Sequence, residues 1–203
     1  MARRFLVCCS LVFVTYFCLP ASAADLYRID PAHAWISFSI KHTPWAHYLG
    51  MFHSINGIIS FDHSDVAAST IEAHILPQSI DTSNTERDQG ELQSAGFLDS
   101  AKHPDITFKS TQIKKIGDSE AIITGDFSMN GFAVPVSIDT TFNGEKLSPW
   151  NGQMTAGFSA TATLDTNDFG MTGLVPLNIG PKVDFRLEIE AAKCGLSCGD
   201  LFS

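Results

Sequence analysis

The sequence predicts an all-β protein built from about eight antiparallel strands, on three observations. Apolar residues recur at every second position along most of the chain after residue 34, the period of a strand with one buried face. The runs are short and separated by Gly, Pro, Asn and Asp, residues that favour turns. Two of the runs flank Asn130-Gly131, the dipeptide preferred in two-residue hairpin loops.

The elements follow in order. Ile36, Phe38 and Ile40 share one face of the first run, with Ser37 and Ser39 opposite. Ile55 to Phe61 is the second. Ile71, Ala73 and Ile75 alternate with Glu72 and His74 in the third, and Ile106 and Phe108 with Thr107 and Lys109 in the fourth. Ile123, Phe127 and Met129 lead into the Asn130-Gly131 turn, and Val134, Val136 and Ile138 return from it. The seventh run alternates Met154, Ala156, Phe158, Ala160, Ala162 and Leu164 with small polar residues; the eighth alternates Val183, Phe185, Leu187 and Ile189 with charged ones. Such strands either pack as a sandwich or close into a barrel, and periodicity does not separate the two. The alanines of the seventh run favour a barrel with interior room, since a solid core would use larger side chains. The connection from Asp81 to Asp99 breaks the pattern, and Thr85, Glu86, Arg87, Asp88, Glu91 and Leu92 predict a short helix there. It reads as a lid over a barrel mouth or as a plug for one end.

Residues 1–23 read as a secretory signal peptide. Arg3 and Arg4 precede an apolar run from Phe5 to Leu19, and Pro20 is followed by Ala21-Ser22-Ala23. The run is shorter than the roughly 20 residues a transmembrane helix needs, so no stable membrane insertion is expected after cleavage near Ala23. Tyr16 and Phe17 precede Cys18 where lipid attachment would require small residues. The expected location is the periplasm, as a secreted, soluble protein. The remainder divides into a barrel domain over 24–193 and a tail over 194–203. The chain carries 22 acidic against 13 basic residues, a formal net charge of −9, and loses two positive charges with Arg3 and Arg4. So acidic a surface repels nucleic acid and argues against broad electrostatic docking on membranes. Cys8, Cys9 and Cys18 leave with the leader, and Cys194 and Cys198 remain as a disulfide candidate in a compartment that permits one. A loop that short gains little from closure.

Six ordered blocks carry a family resemblance. Tyr27-Arg28-Ile29-Asp30 with His33 and His42 is followed by Gly50-Met51-Phe52 and Asn56-Gly57-Ile58-Ile59-Ser60-Phe61-Asp62. Ser79-Ile80-Asp81-Thr82 with Glu86-Arg87-Asp88, Phe97-Leu98-Asp99 with His103-Pro104, and Phe108-Lys109-Ser110 come next. Gly125 to Gly131 with Pro135-Val136, and Asp168-Phe169-Gly170-Met171, complete the set. The chain resembles the YceI-like family. The resemblance implies an eight-stranded antiparallel lipocalin-like barrel, exported in bacteria, that holds a polyisoprenoid or similar lipid inside, with no cofactor and no metal. Three positions depart from the family pattern. Arg87 to Leu92 is one residue longer than usual, Gly96 stands where an acidic residue is common, and Thr166 replaces a frequent arginine. The last weakens the case for a pyrophosphate headgroup.

On this reading Ile36, Phe38, Ile40, Phe52, Phe61, Phe108, Phe127, Met129, Phe158, Phe169 and Met171 are the candidate cavity lining, and His33, His42, Arg87 and Asp88 the candidate polar groups at a mouth or lid. Burial of each CH₂ contributes roughly 0.8 kcal/mol, so an isoprenoid chain binds tightly without a polar anchor. The phenylalanines alone fit an ordinary core equally well. Five of the seven histidines fall between His33 and His63, but the spacing of His42, His47 and His53 is a poor match to a metal site. His33 or His42 with Asp30, or Arg87 with Asp88, are the pairs an acid–base enzyme acting on a lipid would use. No nucleophile motif accompanies them, and no enzyme is expected. A third class is an acidic interaction protein with a solid core. Nothing in the sequence decides between a monomer and a homodimer.

Overall fold

The computed structural model describes residues 24–195 and 198; the leader and the rest of the tail lie outside the described residues. Ten strands form: β1 (Asp25–His42), β2 (Ala46–Phe52), β3 (Ile55–Phe61), β4 (Thr70–Ile75), β5 (Ile80–Asp81), β6 (Ile106–Lys115), β7 (Glu120–Met129), β8 (Phe132–Leu147), β9 (Met154–Asp165) and β10 (Ile179–Lys193). All pairings are antiparallel, and β1 pairs with β10 from Tyr27↔Lys193 to His42↔Ile179, which closes the sheet into a barrel.

The barrel has eight staves because two of them are shared. The start of β1 pairs with β3 (Asp25↔Phe61) and its end with β2 (Ile36↔Phe52), so β2 and β3 lie along one stave. The two-residue β5 continues the line of β4 and pairs with β2 at Met51↔Asp81. Eight of these strands coincide with the alternating runs of the sequence, and β2 and β5 are additional to them. His47 and His53, expected in a connection or at a strand start, lie at the start of β2 and directly after its end. Trp45, His47 and Leu49 face outward there, which masks the alternation of Tyr48 and Phe52 on the inner face.

Residues 30–33 form a bulge in β1, where its register against β10 slips between Ile29 and Ala34. Pro31 has no N–H to give a ladder, a residue suited to a bulge. Asp30 accepts from the Ala32 amide at 2.9 Å and bonds His33 Nδ1 at 2.7 Å. The β7–β8 hairpin turns at Asn130 and Gly131, both with positive φ (54° and 78°), as the sequence predicts. Gly125 allows a close approach: a Cβ there would lie 2.6 Å from Phe108 Cζ on the neighbouring strand.

The 81–99 connection contains a helical turn over Arg87–Leu92 of the π type. Bonding of i to i+5 takes up one more residue per turn than an α-helix does. No helix among the described residues is long and apolar enough to cross a membrane. Cys194 and Cys198 are joined by a disulfide, and the Cys194 amide donates to Leu26 O at 2.7 Å, fastening the end of β10 to the start of β1.

Candidate functional site

The barrel encloses a cavity of about 930 Å³ that reaches from the lid end to the opposite end. That volume is at the upper end of the range for small-molecule sites. It removes the solid-core alternative. The walls come from every stave: Ile36, Phe38 and Ile40 of β1, Phe52 of β2, Phe61 of β3, Phe108 of β6, Phe127 and Met129 of β7, and Phe158 of β9. Phe169 and Met171, in the loop after β9, line the lid end. Alternation aims these side chains inward. Ala160 and Ala162 also line the cavity, and their small size leaves the space open where β9 faces it.

Aromatic rings set the shape. Phe38 lies 5.8 Å from Phe52 and 6.0 Å from Phe185. Phe61, Phe142 and Phe158 cluster at the end remote from the lid, with centroids 5.2 to 6.0 Å apart. Phe127 meets Phe169 edge to face at 5.5 Å. The Asn130 side chain donates to the carbonyl of Phe169 at 3.3 Å and to that of Phe97, tying the hairpin turn to the loop after β9 and to the lid segment.

Polar groups gather at the lid end. The Arg87 guanidinium donates through Nε to Thr82 Oγ1 and through Nη2 to Thr82 O, each at 2.7 Å, and lies 5.0 Å above the Tyr48 ring. Tyr48 stacks on His42 at 4.5 Å, and Trp45 meets His42 edge to face at 4.9 Å. Arg87, Tyr48 and His42 all line the cavity. Tyr48 was absent from the sequence reading because β2 was missed; its spacing with Phe52, across inward Gly50, was the available signal.

Two sequence-based roles need correction. His33 does not line the cavity: it sits half exposed on the β1 bulge, bonded to Asp30. Asp30 is thereby held below the usual carboxylate range, chiefly by that hydrogen bond, and His33 is raised by the same bond and the Asp30 charge. Neither histidine can pair with Asp30 inside the barrel, since His42 is stacked at the far end of β1. Arg87 and Asp88 do not form an ion pair. Asp88 is buried and accepts instead from the Thr82 hydroxyl and, at 3.0 Å, the Thr82 amide. Thr82 thus bridges the two charges. His42, His47 and His53 do not converge; His53 bonds Asp81 at 2.9 Å and lowers its pKa. No group of three potential metal ligands assembles among the described residues.

At the opposite end, buried Tyr27 donates to Glu145 Oε2 at 2.7 Å, and His63, which also lines the cavity, lies 3.4 Å from the same oxygen. Burial first, then the Glu145 hydrogen bond and charge, push the Tyr27 hydroxyl pKa well up. Lys193 donates to Asp25 at 2.6 Å beside them.

Known proteins share this architecture. A crystal structure of Burkholderia cenocepacia BcnA superposes with a TM-score of 0.70 at 18% identity, covering 80% of this chain and 98% of that one. A Campylobacter jejuni YCEI protein gives 0.67 at 24% identity over 76% and 90% of the chains. A polyisoprenoid binding domain from Saccharophagus degradans gives 0.60 at 12% identity over 84% and 99%. In sequence, a UPF0312 protein of Pseudomonas putida is 39% identical over 85% of this chain and 88% of its own length. One from Pseudomonas paraeruginosa is 36% identical over 95% and 100%. Residues 27–191 match the YceI-like domain model, and the chain belongs to the YceI-like family.

Proposed function

We propose that this protein binds a long apolar amphiphile, a polyisoprenoid or another lipid, in the barrel and serves as its carrier or store in the periplasm. The observation that carries this reading is the cavity itself: about 930 Å³, walled on every stave by Phe, Ile, Leu and Val. Such walls offer an alkyl or prenyl chain burial worth roughly 0.8 kcal/mol per CH₂. The few polar groups sit at the two ends, the arrangement a molecule with one polar head and an apolar tail requires. The likeness to a polyisoprenoid binding domain agrees with it. Residues 1–23 supply the export signal in this proposal, and the compartment is oxidising enough to keep Cys194 and Cys198 joined.

Mass spectrometry of organic extracts from the purified protein tests the proposal. A stoichiometric prenyl or acyl lipid is the expected result. An empty protein that also fails to take up prenols or fatty acids would overturn it. Cell fractionation checks the location, with the protein expected in the periplasmic fraction and shortened by the leader.

A further inference from the structure

The cavity mouth at the lid end has two unlike lips. On one side are Glu86 and Glu91 of the lid segment, which line the opening. On the other the β1–β2 turn meets the loop before β10: the Thr43 amide donates to Asn178 O at 3.2 Å, and the Asn178 side chain donates to Thr43 O at 2.8 Å. This joint carries Trp45, 72% exposed, Val175, 68% exposed, and Leu177, which is 40% exposed and also lines the cavity. The apolar interior therefore runs out onto the surface without a polar break at Leu177.

Charge is distributed to match. In a chain with 22 acidic residues, none occurs between Asp30 and Asp62 or between Asp168 and Asp184, the two segments that build this lip. Lys41 and His47, paired across β1 and β2 and both exposed, stand beside Trp45. Lys41 has no carboxylate partner among the described residues. A chain whose net charge is repelled by anionic lipid thus presents one face that is not.

We propose that the lip formed by Trp45, Val175 and Leu177 docks on the surface of an anionic phospholipid bilayer, with Lys41 and His47 toward the headgroups. Trp suits the interface, where one edge of its ring is wet and the rest is in acyl chains. Apolar insertion and attraction to anionic headgroups act together in such binding. Glu86 and Glu91 are repelled, which tilts the barrel so that Leu177 and the cavity edge meet the lipid. An amphiphile would then enter or leave without crossing water; that consequence rests on the lipid-binding reading above, and docking itself does not. The remote end is the poorer candidate. Trp150 is 90% exposed there with Ile116 and Leu147, but Asp118 and Glu120 follow Ile116 and line that opening, whereas the two segments that carry Trp45, Val175 and Leu177 hold no acidic residue.

Co-sedimentation of the purified protein with phosphatidylethanolamine–phosphatidylglycerol vesicles tests this. Binding is expected, weakened at least about tenfold by Trp45→Glu with Val175→Glu and left intact by Trp150→Glu. All three positions are exposed, so circular dichroism should match the parent. Lys41→Glu should weaken binding to these vesicles and spare binding to pure phosphatidylcholine. With Trp35→Phe and Trp150→Phe, the remaining Trp45 emission should shift blue on adding vesicles and be quenched by brominated lipid. The proposal is overturned if the parent protein does not sediment, if Trp150→Glu weakens binding equally, or if only vesicles carrying membrane proteins are bound. Cargo analysed on the same preparations separates the two readings. Docking by a protein that never carries lipid sinks the carrier and leaves the docking surface, whereas loaded protein that ignores vesicles does the reverse.

Discussion

Arg87 lies 5.0 Å over the ring of Tyr48 while its Nε and Nη2 bond Thr82, so the lid segment is fixed to β2 through one guanidinium. Thr82 is the pivot, because its hydroxyl accepts from Arg87 and donates to buried Asp88. Thr82→Val keeps the shape and removes both bonds, leaving the Asp88 carboxylate with the Thr82 amide alone among these contacts. A buried acceptor stripped of a partner costs about 1–3 kcal/mol. The urea midpoint should fall by a corresponding amount with an unchanged slope. A midpoint equal to the parent's would show that the bridge does not hold the lid.

Phe38 and Phe127 face one another's region of the cavity from β1 and β7, and neither backbone depends on the ring for its ladder. Phe38→Asp or Phe127→Asp would place a carboxyl group against apolar walls with no partner, a costly burial for any chain lying there. Each variant should fold, by circular dichroism, and purify without lipid. Retention of lipid at the parent's level by a folded variant would place the bound chain elsewhere.

The Asp30–His33 pair gives stability a defined pH window. His33 is raised above its ordinary value of 6.5, so its contribution is complete below that value and is lost as pH rises through the raised one. Asp30 is lowered from 3.8, so its contribution is complete above 3.8 and is lost as pH falls through the lowered one. The difference in unfolding midpoint between the parent and His33→Ala should therefore be greatest between pH 3.8 and 6.5 and shrink on either side. Urea titrations across that range check it. A difference that grows above neutral pH would contradict the assignment. The pair is solvent-exposed, so the effect is small and sensitive to salt.

Strand content was legible because interior and exterior residues alternate along each stave, and the Asn130-Gly131 turn is specified by its own residues. Closure was not. Nothing in the period of β1 or β10 says that they pair, and the bulge at 30–33 hides the continuity of β1 from Asp25 to His42. Ala160 and Ala162 were the local sign of a hollow interior, and they do face it. His33 was misplaced because a bulge turns side chains in a way that alternation does not forecast. The Thr82 bridge was also illegible, since neighbouring Arg87 and Asp88 invite direct pairing, and only the path of the chain shows that a hydroxyl five residues back stands between them.

Tyr27 reaches across the remote end of the barrel to Glu145, which the long β8 carries past the point where β7 stops pairing at Thr141. The side chain is fully buried, so its hydroxyl depends on that one carboxylate, and Glu145 has His63 as a second neighbour. Tyr27→Phe deletes the donor while keeping the ring beside Phe61 at the same packing. A hydrogen bond to a charged acceptor contributes about 1.5–3 kcal/mol, and partial exposure of Glu145 puts this one near the lower end. Glu145→Gln retains an oxygen acceptor and should lose less. Chemical denaturation of the two variants, alone and combined, isolates the coupling. Additive effects would mean that the β8 extension is held over this end by the Phe61, Phe142 and Phe158 rings and not by Tyr27.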